Sequence, residues 1–98
     1  MIQIITTVDS KTKAKEIAEF LVKNKLAACV QISPIDSIYR WKGKIEHAKE
    51  YKLTIKGKNF KAIEKAIKSL HPYGVPEIIQ IKVKASKSYS NWLKKETN

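Results

Sequence analysis

His71-Pro72-Tyr73-Gly74-Val75-Pro76-Glu77-Ile78 is the stretch of this 98-residue chain with the greatest capacity for chemistry. Two prolines bracket a Tyr-Gly turn, so a restrained backbone holds an imidazole, a phenol and a carboxylate close together. An imidazole can ligate a metal or change charge near neutrality, and Glu77 can pair with it or with a lysine. The same loop also reads as a rigid helix stop whose polar groups satisfy its own backbone. A catalyst would have to be assembled from Glu50, Lys56, His71, Tyr73 and Glu77, and nothing in their spacing demands one. No G-x-S-x-G, P-loop or G-x-G-x-x-G pattern occurs, and three glycines cannot build the usual phosphate cradle. The expectation is a protein that is not an enzyme.

Two further groups of residues stand out. Cys29 sits among Leu26, Ala27, Ala28 and Val30, a setting in which cysteine is usually a small hydrophobe. The chain has no C-x-x-C, H-E-x-x-H or His-carboxylate spacing for a strong zinc or iron site. His47, in a charged stretch, is expected in solvent. In Tyr39-Arg40-Trp41-Lys42-Gly43-Lys44-Ile45 aromatics alternate with cations, a pattern that can stack bases. Only two aromatics take part and no nucleic-acid motif surrounds them. Tyr39 and Trp41 on a protruding hairpin fit a subunit interface better.

The elements that must position these groups follow from periodicity. Ile2 to Val8 is β-branched and reads as a strand. Asp9 and Ser10 offer caps to an amphipathic helix with Ala14, Ile17, Ala18 and Leu21 inward, ending near Asn24-Lys25. Ala28, Val30 and Ile32 alternate as a second strand, and past Pro34 the apolar parity changes to Ile35, Tyr39 and Trp41. That change predicts a long strand bent or slipped at Pro34. Lys42-Gly43 supplies a turn into a third strand with Tyr51, Leu53 and Ile55 on one face. Asn59 caps a second helix with Phe60, Ile63, Ile67 and Leu70 inward, stopped at His71-Pro72. Ile79, Ile81 and Val83 alternate as a fourth strand, and Tyr89, Trp92 and Leu93 suit a brief terminal helix. The fold class is therefore α+β: a ferredoxin-like βαββαβ plait with a long bent β2–β3 hairpin and a short C-terminal helix, one domain over residues 1–98.

Composition narrows the partners. Lys and Arg total 20 against 9 Asp and Glu, a net charge of +11, which raises nucleic acid or an anionic membrane as partners. Arg40 is the sole arginine, however, and base readout favours the planar guanidinium fork over lysine. The lysines read as solvation, and no nucleic-acid partner is expected. The longest apolar run, Leu26 to Val30, is far short of the ~20 residues of a membrane span, so no membrane partner is expected either. A single cysteine excludes an internal disulfide, and the N-terminus lacks a basic n-region. A cytoplasmic protein is the expectation.

Taken together, several blocks resemble the CutA family of divalent-cation tolerance proteins. They are Thr6-Thr7, Leu26-Ala27-Ala28-Cys29-Val30, Tyr39-x-Trp41-x-Gly43-Lys44-Ile45, Glu50, Lys56, His71-Pro72-Tyr73 with Val75-Pro76-Glu77-Ile78, and Tyr89-x-x-Trp92-Leu93. The resemblance covers essentially the whole chain, with the blocks in the family's order. It implies a homotrimer similar in arrangement to PII-type signalling proteins, with the hairpin of about Ile32 to Leu53 reaching neighbouring subunits. Glu50, Lys56, His71, Tyr73 and Glu77 would then line an inter-subunit ligand cleft. The implied function is a non-catalytic metal-response or tolerance protein with weak copper binding, no tightly held cofactor, and His71 and Cys29 as metal candidates. Where some members carry Cys this chain has Thr6, and where they carry a second His it has Leu70. The alternative is a small-molecule sensor or signalling adaptor that uses the same cleft for an anion near Lys56.

Overall fold

The computed structural model describes residues 1–98 as seven elements in chain order. These are β1 (Ile2–Val8), α1 (Lys11–Lys23), β2 (Ala27–Trp41), β3 (Lys44–Gly57), α2 (Phe60–Leu70), β4 (Ile79–Lys82) and α3 (Lys87–Glu96). The four strands form one antiparallel sheet in the order β2-β3-β1-β4. α1 and α2 cover one face of it, where Ile4, Val8, Leu53 and Ile55 meet Ile17, Leu21, Ile63 and Ile67 in a buried core. This is the ferredoxin-like plait expected from the element order.

The helix boundaries follow their capping residues. Ser10 Oγ accepts from Lys13 N–H and Asn59 Oδ1 from Ala62 N–H, each satisfying a donor that the first helical turn cannot. His71 closes α2 with extended backbone, as a residue before proline must. Gly57, at the end of β3, is required by close approach: a Cβ there would lie 2.7 Å from Ile63 Cδ1 and 2.9 Å from the Leu26 carbonyl.

The β2 strand departs from expectation in where it is irregular. Pairing with β3 runs unbroken through Pro34, opposite Tyr51, and the register shifts instead between Ala27 and Cys29. Ala28 is the extra residue of this bulge, so Ala27, not Ala28, enters the core, while Val30 and Ile32 still pack against it. The parity change past Pro34 has another cause. Beyond that point no β2 residue joins the core under the helices, and Tyr39 and Trp41 line a groove instead. Lys42 (φ +48°) and Gly43 (φ +79°) close the hairpin, both in the left-handed region that a tight two-residue connection needs. The projection stretches the molecule to 45 × 24 × 22 Å.

β4 also differs from a simple inward alternation. Ile79 and Ile81 pair with Ile5 and Gln3, so they share the sheet face that the helices leave open, and both remain over 40% exposed. At the C-terminus α3 buries Leu93 and leaves Trp92 exposed, while Asn98 N–H donates to the Lys25 carbonyl at 3.0 Å.

Thr6 lies fully buried on the helix-covered face, and its hydroxyl has no partner. A buried hydroxyl without a hydrogen bond opposes folding. Thr6→Val, which keeps the shape and removes the hydroxyl, is expected to stabilise the chain by about 1 kcal/mol in urea denaturation.

Candidate functional site

The C-terminal end of β1, the middle of β3 and the α2–β4 loop converge on one group of side chains. His71, at the end of α2, is turned towards β1: its Nε2 lies 2.7 Å from the Thr7 carbonyl. Tyr73 N–H donates to His71 Nδ1 at 3.1 Å. A nitrogen that accepts cannot carry the proton, so Nε2 carries it and donates to Thr7, and the ring is held as one neutral tautomer. The ring also meets Tyr73 edge to face, centroids 4.7 Å apart at 62°. The imidazole is thus the pin that fastens the loop to the sheet.

Tyr73, placed by that pin, donates from its hydroxyl to Glu50 Oε2 at 2.9 Å. Glu50 is 7% exposed and accepts no other hydrogen bond from the chain. Burial, then the hydrogen bond to Glu50 and its negative charge, with smaller contributions from Asp9 and Tyr39, raise the phenol of Tyr73 well above the ordinary tyrosine range. Since the folded value lies above the unfolded value of about 10, the protonated phenol contributes stability below that pH and loses it as pH rises through the folded value. An alkaline titration followed by ultraviolet absorbance is expected to show a late rise that Tyr73→Phe abolishes.

These residues form one wall of a groove of about 700 Å³, closed on the other side by the hairpin. Thr7, Tyr39, Trp41, Glu50, Tyr73 and Glu77 line it. Asp36 stands at its rim with Lys49 at 2.7 Å, and the carboxylate raises the lysine above its usual range. The structure therefore brings together Glu50, Tyr73 and Glu77, with His71 behind Tyr73. It does not bring Lys56, which lies six residues along β3, ~20 Å away at the ordinary strand rise, where its amine donates to Gln31 Oε1 at 3.1 Å. Cys29 is paired opposite Lys56 and is equally remote. Thr7, Tyr39 and Trp41 are groove residues that the sequence did not assign to a ligand site. The aromatic alternation along the hairpin marks Tyr39 and Trp41, but only the β1–β3 pairing reveals Thr7.

No group of three or more His, Cys, Asp and Glu side chains comes together in the chain. Both ring nitrogens of His71 are engaged, and Thr6 points into the core. The open sheet face presents Gln3, Ile5 and Thr7 from β1 and Lys52, Thr54 and Lys56 from β3, with no aromatic from either central strand on this face, since Tyr51 lies on the helix-covered one. Plaits that bind RNA place stacking aromatics there.

A four-stranded plait with two helices on one face, an overlong hairpin and a carboxylate-floored groove defines a small ferredoxin-like domain. The family model described as "CutA1 divalent ion tolerance protein" matches residues 2–96, and the chain belongs to that family. It is 39% identical over 98 residues to the divalent-cation tolerance protein CutA of Thermus thermophilus, covering 96% of this chain and 95% of the relative. It also matches the CutA homologue of Xenopus laevis at 43% identity, spanning 60% of that protein. The crystal structure of CutA1 from Pyrococcus horikoshii superimposes with a TM-score of 0.95 at 35% identity, covering 100% of this chain and 99% of that one. The family's names describe tolerance proteins rather than catalysts.

The cytoplasmic location expected from the sequence is overturned. The solved relative from Archaeoglobus fulgidus, with a TM-score of 0.93 at 34% identity over 98% of each chain, is described as periplasmic. The rice and Arabidopsis relatives are described as chloroplastic. The absence of a basic n-region in the first residues was no guide to compartment. No helix is long and apolar enough to cross a membrane.

Proposed function

We propose that the chain works as a homotrimer in tolerance to divalent cations, without catalytic turnover, and that it takes a divalent metal such as copper only weakly. The observation that carries the trimer is the apolar surface that one copy leaves in water. Ile38 (68% exposed) and Ile45 (55%) stand on the hairpin, and Ile79 and Ile81 stand on the open sheet face. Surface of this kind, on a hairpin projecting beyond its own core, marks a contact with another chain. The outer edge of β2, 15 residues long, is a further pairing surface, and self-association removes the hazard of leaving it open.

Weak metal binding follows from the donors. Copper favours imidazole and thiolate, yet copper at His71 must displace either Thr7 or Tyr73 from the ring, and Cys29 is too far away to help. Titration calorimetry of copper(II) into the wild-type chain is expected to give a Kd above about 1 µM. Nanomolar binding that disappears in His71→Ala would overturn this reading.

The groove favours a second reading, a trimeric small-molecule sensor or adaptor of PII-like arrangement. Its polarity is opposite to that of the anion site expected around Lys56. Carboxylates and aromatics line it, and no lysine or arginine does.

A further inference from the structure

We infer that the groove beside Glu50 binds a small primary alkylammonium ion, the ammonium on the Glu50 carboxylate and the alkyl chain along Tyr39 and Trp41. The inference rests on the second reading above, that the groove is a ligand site, and supplies the chemical class of its ligand.

Glu50 carries the inference. Its side chain is more than nine-tenths buried, lines the groove and makes no ion pair. Tyr73 satisfies one carboxylate oxygen, and nothing in the chain donates to the other. A buried carboxylate without a counter-charge is costly, and a cation entering the groove relieves that cost. The unfilled acceptor takes a hydrogen-bond donor, and a primary ammonium supplies that donor together with the missing positive charge, as a quaternary amine does not.

The rest of the wall agrees. Trp41 and Tyr39 are 49% and 45% exposed, and their rings are faces suited to a cation or to the methylenes beside it. Glu77, exposed at the mouth, offers a second carboxylate for a diamine. At about 700 Å³ the space falls within the range of small-ligand sites. In a chain of net charge +11, a groove lined without a single lysine or arginine is a local inversion of the surface charge. That inversion selects an organic cation over the anions the rest of the surface would attract. Phenols and carboxylates are hard oxygen donors that soft copper(I) disfavours, so the preference differs from that of a soft metal site.

The test is titration calorimetry of 1,4-diaminobutane into the full chain with EDTA present at low ionic strength. The expected result is saturable heat with one site per chain, weakened about tenfold or more by Glu50→Gln and several-fold by Glu77→Gln and Trp41→Ala. Glu77 and Trp41 are exposed, so their variants keep the fold even if Glu50→Gln does not. Equal heat from 1,4-butanediol, no saturable heat from the diamine, or unchanged affinity in both Glu50→Gln and Glu77→Gln would each overturn the inference. Parallel titrations of copper(II), without EDTA, and of citrate separate the two levels. Heat from either that Glu50→Gln removes, with none from the diamine, leaves a ligand site of another class, and silence from all three removes the ligand site itself.

Discussion

Replacing His71 by Ala is expected to lower the stability of the folded chain by about 3 kcal/mol, measured by urea denaturation in the presence of EDTA. The residue is 9% exposed, and its ring makes two hydrogen bonds that no other group can replace. Its loss leaves the Thr7 carbonyl and the Tyr73 amide short of partners and opens a cavity behind Tyr73. Tyr73 then loses its fixed approach to Glu50, so the late ultraviolet titration of the phenol should move back towards the ordinary tyrosine range. A metal ligand without a structural role would behave otherwise. Its removal in metal-free buffer would leave both the denaturation midpoint and the tyrosine titration where they were.

The second large effect concerns the open sheet face. The double variant Ile79→Lys with Ile81→Lys is expected to convert the proposed trimer into monomers at micromolar concentration. Buried apolar anchors at an interface contribute about 2 kcal/mol each, so losing two weakens each contact roughly a thousandfold. Like charges on three facing copies add to the loss. Both residues are nearly half exposed within one chain, so far-ultraviolet circular dichroism should show the plait intact. A variant that unfolds instead would place these isoleucines in the chain's own core, against the β1–β4 register.

The fold was legible in the sequence wherever one face of an element meets one core. The stripe Ala14, Ile17, Ala18 and Leu21, the Asn59 cap and the Pro72 stop each state a local rule that the tertiary structure does not override. The β2 irregularity was harder to place, because the apolar change at Pro34 and the pairing shift at Ala28 are different events. The first records a change of neighbour and the second a change of register. A pattern of side chains cannot tell these apart, since both invert the alternation. The orientation of Ile79 and Ile81 was illegible for the same reason: alternation defines two faces without saying which one the helices cover.

Half of the site could be read in advance. The restrained 71–78 loop announces that His71, Tyr73 and Glu77 sit together, because the constraint is local. Glu50 joins them only through the long-range pairing that lays β3 beside the end of β1. Lys56 has the same strand and the same chemistry of charge, yet six residues of extended chain carry it to the other end of the sheet. Function followed the same division. The net charge of +11 says little about partners, since the groove beside Glu50 is lined without a lysine or arginine.

The hairpin isoleucines, the open sheet face and the free edge of β2 are the surfaces from which assembly of the chain is proposed. Size-exclusion chromatography with light scattering at micromolar concentration tests that most directly. The account predicts a single species of three times the 11.2 kDa chain mass. A monodisperse peak at the mass of one chain would contradict it.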